Sequence, residues 1–117
     1  MDSYLLIIYI LFLHFVSDFI FQSREVAVTK SKSVLSLSIH CLTYSFGLLL
    51  GMVFIDFQYM IPFTFINGLS HFIVDFITSR LTTKFYQEDK MHQFWIVIGA
   101  DQFIHSTILI LSIELLI

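Results

Sequence analysis

The residues best suited to chemistry in this sequence of 117 residues are histidines and aspartates that recur at a spacing of four. Residues four apart lie on one face of an α-helix, so each pair presents an imidazole and a carboxylate to the same neighbour. These two groups together suit zinc, iron or manganese. The set comprises two His-x-x-x-Asp pairs, one reversed pair and one further histidine: His14 and Asp18, His71 and Asp75, Asp101 and His105, and His40.

We predict that these seven residues form a divalent-metal site, with zinc as the first choice and iron or manganese as alternatives. Seven groups exceed the four ligands of one tetrahedral zinc, so either two metals bind or some groups act as hydrogen-bond partners or as acid and base. We assign the catalytic acid–base role to Asp101 and His105. A metal at this position would lower the pKa of bound water and permit hydrolysis of a phosphoester or amide in a lipid-like or phosphorylated substrate.

A second interpretation is that the same residues form only a hydrogen-bonded polar core. Each interhelical hydrogen bond in a membrane contributes about 0.6 kcal/mol on average, and chains of His and Asp also build proton relays. The alternative function is therefore non-enzymatic: an oligomeric pore, a proton or ion pathway, or an accessory subunit. Four short helices make a transporter only as a homo-oligomer.

The composition places these residues in a membrane. The chain is 57% hydrophobic and 13% charged, whereas a typical soluble domain is about 45–50% apolar and about 25% charged. Four continuously apolar stretches cover about residues 3–22, 34–55, 59–79 and 93–116, and each is long enough to cross a ~30 Å hydrocarbon layer as a helix. We predict one domain over residues 1–117, an all-α four-helix bundle integral to the lipid bilayer.

The basic residues predict the orientation of this bundle. All six lysines and arginines lie in two connections, residues 23–33 and 80–92. The positive-inside rule therefore makes both connections cytoplasmic and directs both termini outward, which puts the histidines and aspartates in the cytoplasmic half of the membrane. Because the net charge is −3 and no run of basic residues occurs, we expect no nucleic-acid partner.

The first and third apolar stretches share a short repeat. The sequence His-Phe-Val-Ser-Asp-Phe-Ile begins at His14 and His-Phe-Ile-Val-Asp-Phe-Ile begins at His71, with five of seven positions identical. Both helices run from outside to inside in the predicted topology. We therefore expect two parallel-repeat helical hairpins related by a pseudo-twofold axis along the membrane normal.

The order and spacing of the polar residues resemble a known family over nearly the whole chain. His-x-x-x-Asp-Phe-x-x-Gln from His14, a Lys-rich loop and His-x-x-x-Tyr from His40 resemble the small bacterial and phage membrane proteins catalogued as domain of unknown function 3307. The resemblance implies a location in the bacterial inner membrane but no mechanism. A more distant similarity is to inner-membrane proteins described as metal-dependent hydrolases, which also carry His and Asp pairs on successive helices. The resemblance continues through Asn67, Ser70, His71, Asp75, Thr78, Ser79, Arg80, His92, Gly99, Asp101, Gln102 and His105.

Overall fold

Four long helices form the bundle in the computed structural model, which describes residues 2–117. Within these residues no strand occurs. A three-residue 3-10 turn, Phe57–Tyr59, leads into the fourth helix. The helices are α1 (Ser3–Phe15, continued by a π-helical turn over Val16–Ile20), the short α2 (Arg24–Thr29), α3 (Val34–Met52), α4 (Met60–Gln87) and α5 (Met91–Leu116).

The four long helices pack as a ring. Helix α1 contacts α3 and α5, and α4 contacts the same two helices, so α1 and α4 occupy opposite corners. The rings of His14 and His71 lie 6.5 Å apart, and Asp18 and Asp75 both contact His40. The two repeated segments therefore run in the same direction. All four helices are long and apolar enough to cross a membrane, which confirms the predicted all-α membrane bundle.

Two helices differ from the stretches that hydropathy outlines. Helix α4 continues to Gln87, eight residues beyond Ser79, because the polar residues there are compatible with a helix although they end the apolar run. The predicted loop 23–33 contains α2, whose first turn is capped by the Ser23 side chain accepting from the Val26 amide. The chain reverses after α4 at Asp89, whose φ of 56° lies in the left-handed region that aspartate tolerates.

The interior of the bundle is divided along its length. One half is an apolar core that contains Ile10, Leu48, Met52, Phe63 and Leu109. The other half buries the histidines and aspartates, one or two helical turns further along the same helices. On the outside, large apolar side chains such as Leu42, Phe65 and Phe103 are 71%, 69% and 72% exposed, as contact with lipid requires.

A close approach between α1 and α3 depends on Gly47. A Cβ atom at this position would lie 3.0 Å from Ser17 Cβ and closer still to Ser17 Oγ. Ser17 belongs to the π-helical turn and is itself buried. The absence of a side chain at Gly47 therefore lets the π-helical turn rest directly on α3.

Gly47→Ala is expected to lower the free energy of unfolding by about 1–3 kcal/mol, because the added methyl group must push the π-helical turn outward. Thermal unfolding of the detergent-solubilised protein measures the effect. Gly99→Ala is the matched control, since a Cβ at Gly99 meets nothing within 4 Å. If the two variants unfold at the same temperature, the close approach has no energetic importance.

Candidate functional site

The π-helical turn in α1 brings Asp18 into the interior. Residues Val16–Ile20 follow a wider helix in which the Phe21 amide donates to the Val16 carbonyl, five residues back. The extra residue in this turn lets two adjacent side chains, Ser17 and Asp18, both be buried. π-Helical turns occur frequently at functional sites for this reason: they redirect a side chain without ending the helix.

Two histidines and two aspartates converge at the centre of the bundle. His40 Nε2 lies 2.9 Å from Asp18 Oδ1 and 3.3 Å from Asp75 Oδ2. His71 Nε2 lies 3.4 Å from each of the same two oxygens and 3.0 Å from His40 Nε2. The Nδ1 atoms of both rings are buried without a protein partner among the described residues. Nε2 is therefore the nitrogen that each ring directs at the other polar groups.

The distances in this four-residue group match those of a metal-ligand set. Zinc–ligand bonds of about 2.0–2.1 Å in a tetrahedron place neighbouring ligand atoms about 3.3 Å apart. The nitrogen–oxygen and nitrogen–nitrogen distances here span 2.9–3.4 Å, and one ligand atom from each residue lies within 4.8 Å of all the others. Asp18, His40, His71 and Asp75 are thus chemically and geometrically able to hold a metal ion.

The two residues predicted to act as acid and base, Asp101 and His105, adjoin this group. His105 Nε2 lies 3.0 Å from Asp75 Oδ1 and 3.2 Å from Asp101 Oδ1. Asp75 therefore directs one oxygen at His40 and His71 and the other at His105. Asp18, Asp101 and His105 also form a group whose ligand atoms lie within 4.8 Å of one another, so the two groups share Asp18.

His14 has a different environment from the other histidines. The Tyr44 hydroxyl lies 2.8 Å from His14 Nδ1, and Gln102 Oε1 lies 2.9 Å from His14 Nε2. Because Gln102 Oε1 can only accept, His14 carries its proton on Nε2 and accepts from Tyr44 at Nδ1. The Gln102 amide nitrogen then donates to Asp101 Oδ2 at 2.9 Å and to Asp18 Oδ2 at 3.3 Å. His14 thereby orients a glutamine that holds two of the carboxylates.

One ammonium group, that of Lys30, contacts the cluster formed by the buried Asp18 and Asp75 and the partly buried Asp101. Lys30, just after α2, donates from Nζ to Asp75 Oδ2 over 3.2 Å. Thr78 donates to Asp101 Oδ1 over 2.6 Å. The cluster of Asp18, Asp75 and Asp101 is therefore net negative unless imidazoles are protonated or a cation binds. Such a charge excess in an apolar bundle favours cation binding.

A cavity of about 490 Å³ opens beside the carboxylates. Asp18, Asp75, Asp101 and Gln102 line its inner end, and residues of α2, α4 and α5 form the walls. Its size suits a small-molecule ligand. The cluster is therefore accessible from the side of the bundle that carries α2.

The comparison with protein families covers almost the whole chain. A family model described as "Protein of unknown function (DUF3307)" matches residues 6–117. This chain belongs to the DUF3307 family. A search of curated proteins and a search of solved structures each found no match.

This DUF3307 protein brings all seven of the predicted site residues together, each through contact with at least one other member of the set. His14, however, lies outside both groups whose ligand atoms converge. His92 is exposed at the start of α5. Sequence reasoning missed Lys30, which it counted only as a topology signal, because no periodicity links a residue after a short helix to Asp75.

Tyr44→Phe is expected to lower the free energy of unfolding of this DUF3307 protein by about 1–3 kcal/mol, since it leaves His14 Nδ1 buried without a donor. The stacking of ring 44 on His71, at 3.9 Å between centroids, is retained in phenylalanine. Tyr86→Phe, at a residue 64% exposed, provides the control. Equal thermal stability of both variants and the wild type would show that the hydroxyl contributes nothing.

Proposed function

We propose that this protein is a divalent-metal-binding membrane protein and that it hydrolyses a phosphoester or lipid-like substrate at the buried cluster. The observation that supports metal binding most strongly is the convergence of ligand atoms from Asp18, His40, His71 and Asp75, all within 4.8 Å of one another. Two imidazoles with two carboxylates suit zinc first, and iron or manganese as alternatives. A divalent ion held there would supply Lewis acidity for attack of water on an ester bond.

The proposed acid and base are Asp101 and His105. They lie 3.2 Å apart, and Asp101 lines the cavity through which a substrate and water would enter. Thr78 and Gln102 each donate to Asp101, so both of its oxygens are held in a fixed orientation. His105 Nε2 lies within hydrogen-bond distance of both Asp101 and Asp75, so the proton on this nitrogen can be donated to either carboxylate.

We propose that the cluster lies in the cytoplasmic half of a bacterial inner membrane. All six basic residues lie in segments 23–33 and 80–92, at the same end of the bundle as the cluster. Helix α4 has 28 residues, which at about 1.5 Å per residue exceeds a ~30 Å hydrocarbon layer. Its polar end, with Lys84, would then project into the cytoplasm beside α2.

The alternative is that the cluster only joins the four helices, as in a pore, an ion pathway or an accessory subunit. The continuous hydrogen bonds from Tyr44 through His14 and Gln102 to Asp101 favour this alternative, because they link α3, α1 and α5 without a ligand. The two functions differ in metal content, which can be measured directly.

Protein purified through a histidine-free tag is expected to contain about one or two zinc, iron or manganese ions per chain, as four-ligand sites retain metal through purification. His40→Ala and His71→Ala should each lose the ion of the four-residue group, whereas the exposed His92→Ala should retain it. Elemental analysis of folded, monodisperse protein gives the content. A stoichiometry of two would assign Asp18, Asp101 and His105 to the second ion. Absence of metal from the wild type would overturn the proposal.

Asp101→Asn is expected to lower hydrolysis of bis(p-nitrophenyl) phosphate by about 10²–10⁴-fold, because the variant removes the general base. Its zinc content in the four-residue group should be unchanged. Glu114→Gln makes the same chemical change at an exposed residue of α5, far from the cluster, and should leave the rate unchanged. Equal rates for both variants would exclude Asp101 from the reaction.

A further inference from the structure

The cavity beside the cluster is lined by both acidic and basic side chains. Its inner end is acidic, but the side formed by α2 and the segment after it carries Lys30 and Lys32. Among the lining residues, the only acidic ones are the three aspartates of the cluster. A bound divalent ion would offset two of these three negative charges, and the two lysines would then outnumber the one that remains.

The ammonium group of Lys30 binds an oxygen that a metal ion would also bind. Its Nζ is bound to Asp75 Oδ2, the same oxygen that lies 3.3 Å from His40 Nε2 and 3.4 Å from His71 Nε2. A divalent ion on that oxygen would repel the ammonium group at a distance of a few ångströms. The side chain of Lys30 is 20% exposed, and its flexible four-carbon stem allows the ammonium group to turn into the cavity.

The cavity also contains polar atoms that lack partners. Ser79 Oγ is buried, in a residue only 6% exposed, and makes no hydrogen bond among the described residues. Gln22 Oε1 also lacks a partner among the described residues, but it is an acceptor and needs a donor. Ser79 lies one helical turn after Asp75, so its hydroxyl stands between the carboxylate cluster and the outer cavity. A ligand with several acceptor oxygens would satisfy Ser79 and both lysines together.

Part of the remaining wall of the cavity is apolar and reaches the outer surface of the bundle. Phe94 and Ile98 of α5 line one side. Phe19 and Val28 line the other and are 49% and 65% exposed. A ligand whose charged end lies near Lys30 could therefore extend a hydrocarbon chain across Phe19 and Val28 into the lipid.

We propose that this cavity binds the phosphate monoester group of a membrane amphiphile, and that Lys30 leaves Asp75 to bind this phosphate when the metal is present. Lys32 adds a second positive charge, and Ser79 donates a hydrogen bond. Lysine binds phosphate as a point charge, which suits a group that must enter and leave. This inference rests on the proposed metal centre and specifies the substrate class that the centre would act on.

The direct test measures phosphate binding by the zinc-loaded protein in nanodiscs of phosphatidylcholine. Inorganic phosphate and nanodiscs containing phosphatidic acid are the two probes. Lys30→Met, which keeps the length of the side chain, should weaken binding at least tenfold, and Lys30→Arg should restore most of it. Lys84→Met removes the same charge from α4 outside the cavity and should change binding less than twofold. Equal losses for Lys30→Met and Lys84→Met would overturn the proposal.

The two probes distinguish the source of the phosphate. Tighter binding of phosphatidic acid than of inorganic phosphate, dependent on Lys30, supports an amphiphile. Equal binding of the two probes would contradict the proposal that the ligand is an amphiphile and would indicate a site for free phosphate. Ser79→Ala, expected to weaken binding about three- to tenfold, gives a second comparison if Lys30→Met does not fold.

The movement of Lys30 has a separate readout. Labelling of Lys30 by an amine-specific reagent, quantified by mass spectrometry, should increase when zinc is added and decrease again with the phosphate probe. If the labelling does not change in protein that contains zinc, Lys30 does not leave Asp75, and that part of the proposal is wrong although the metal centre is present. A wild-type protein that holds no metal would instead overturn the proposed function, and this inference with it.

Discussion

Three carboxylates inside an apolar helix bundle are the constraint on which the rest of this structure depends. An aspartate at the centre of a membrane helix costs about 2.5–3.5 kcal/mol on insertion scales. Asp18 and Asp75 are both buried, and Asp101 is nearly so. Each must therefore find donors or cations from neighbouring helices, and the bundle is arranged so that every helix supplies one.

The partners of these carboxylates come from several parts of the bundle. Asp75 on α4 contacts His40 of α3, His105 of α5 and Lys30 of the segment after α2. Asp18 on α1 contacts the same His40. Local features of the chain serve this convergence: the π-helical turn directs Asp18 inward, and Gly47 lets that turn approach α3. The apolar core at the other end also holds the helices together, and Tyr44 belongs to this core and contacts His14.

The acidic excess also explains why Lys30 matters. Without a metal, one ammonium group partly balances three carboxylates; a divalent ion on Asp75 Oδ2 would take the place of that ammonium group, which would then be available to the adjacent cavity. Metal binding, substrate binding and the placement of α2 would then be coupled through a single oxygen, Asp75 Oδ2. Helix α2 has six residues, none of them buried, and segments without buried contacts open at low free-energy cost, which suits a segment that carries an exchangeable side chain.

Hydropathy identified the four spanning helices because twenty apolar residues in succession have few stable alternatives to a membrane helix. It was less informative at their ends. Helix α4 runs on to Gln87 and α2 forms within a connection, since a helix is held by its backbone hydrogen bonds and continues where the side chains turn polar. The spacing of four likewise marked the residues of the cluster, because polar groups in apolar helices are costly and therefore few.

The sequence by itself determined the class of fold, the family resemblance now confirmed, and the histidines and aspartates that the buried cluster contains. The tertiary structure decided which of those residues lie at metal-ligand distances from one another and which do not. His40 and His71 face Asp18 and Asp75 at ligand distances, whereas His14 hydrogen-bonds to Tyr44 and Gln102. Periodicity specifies which face of one helix a residue occupies, but the distances between atoms on different helices depend on how those helices rotate and pack. For the same reason only the folded chain brings Lys30 to Asp75.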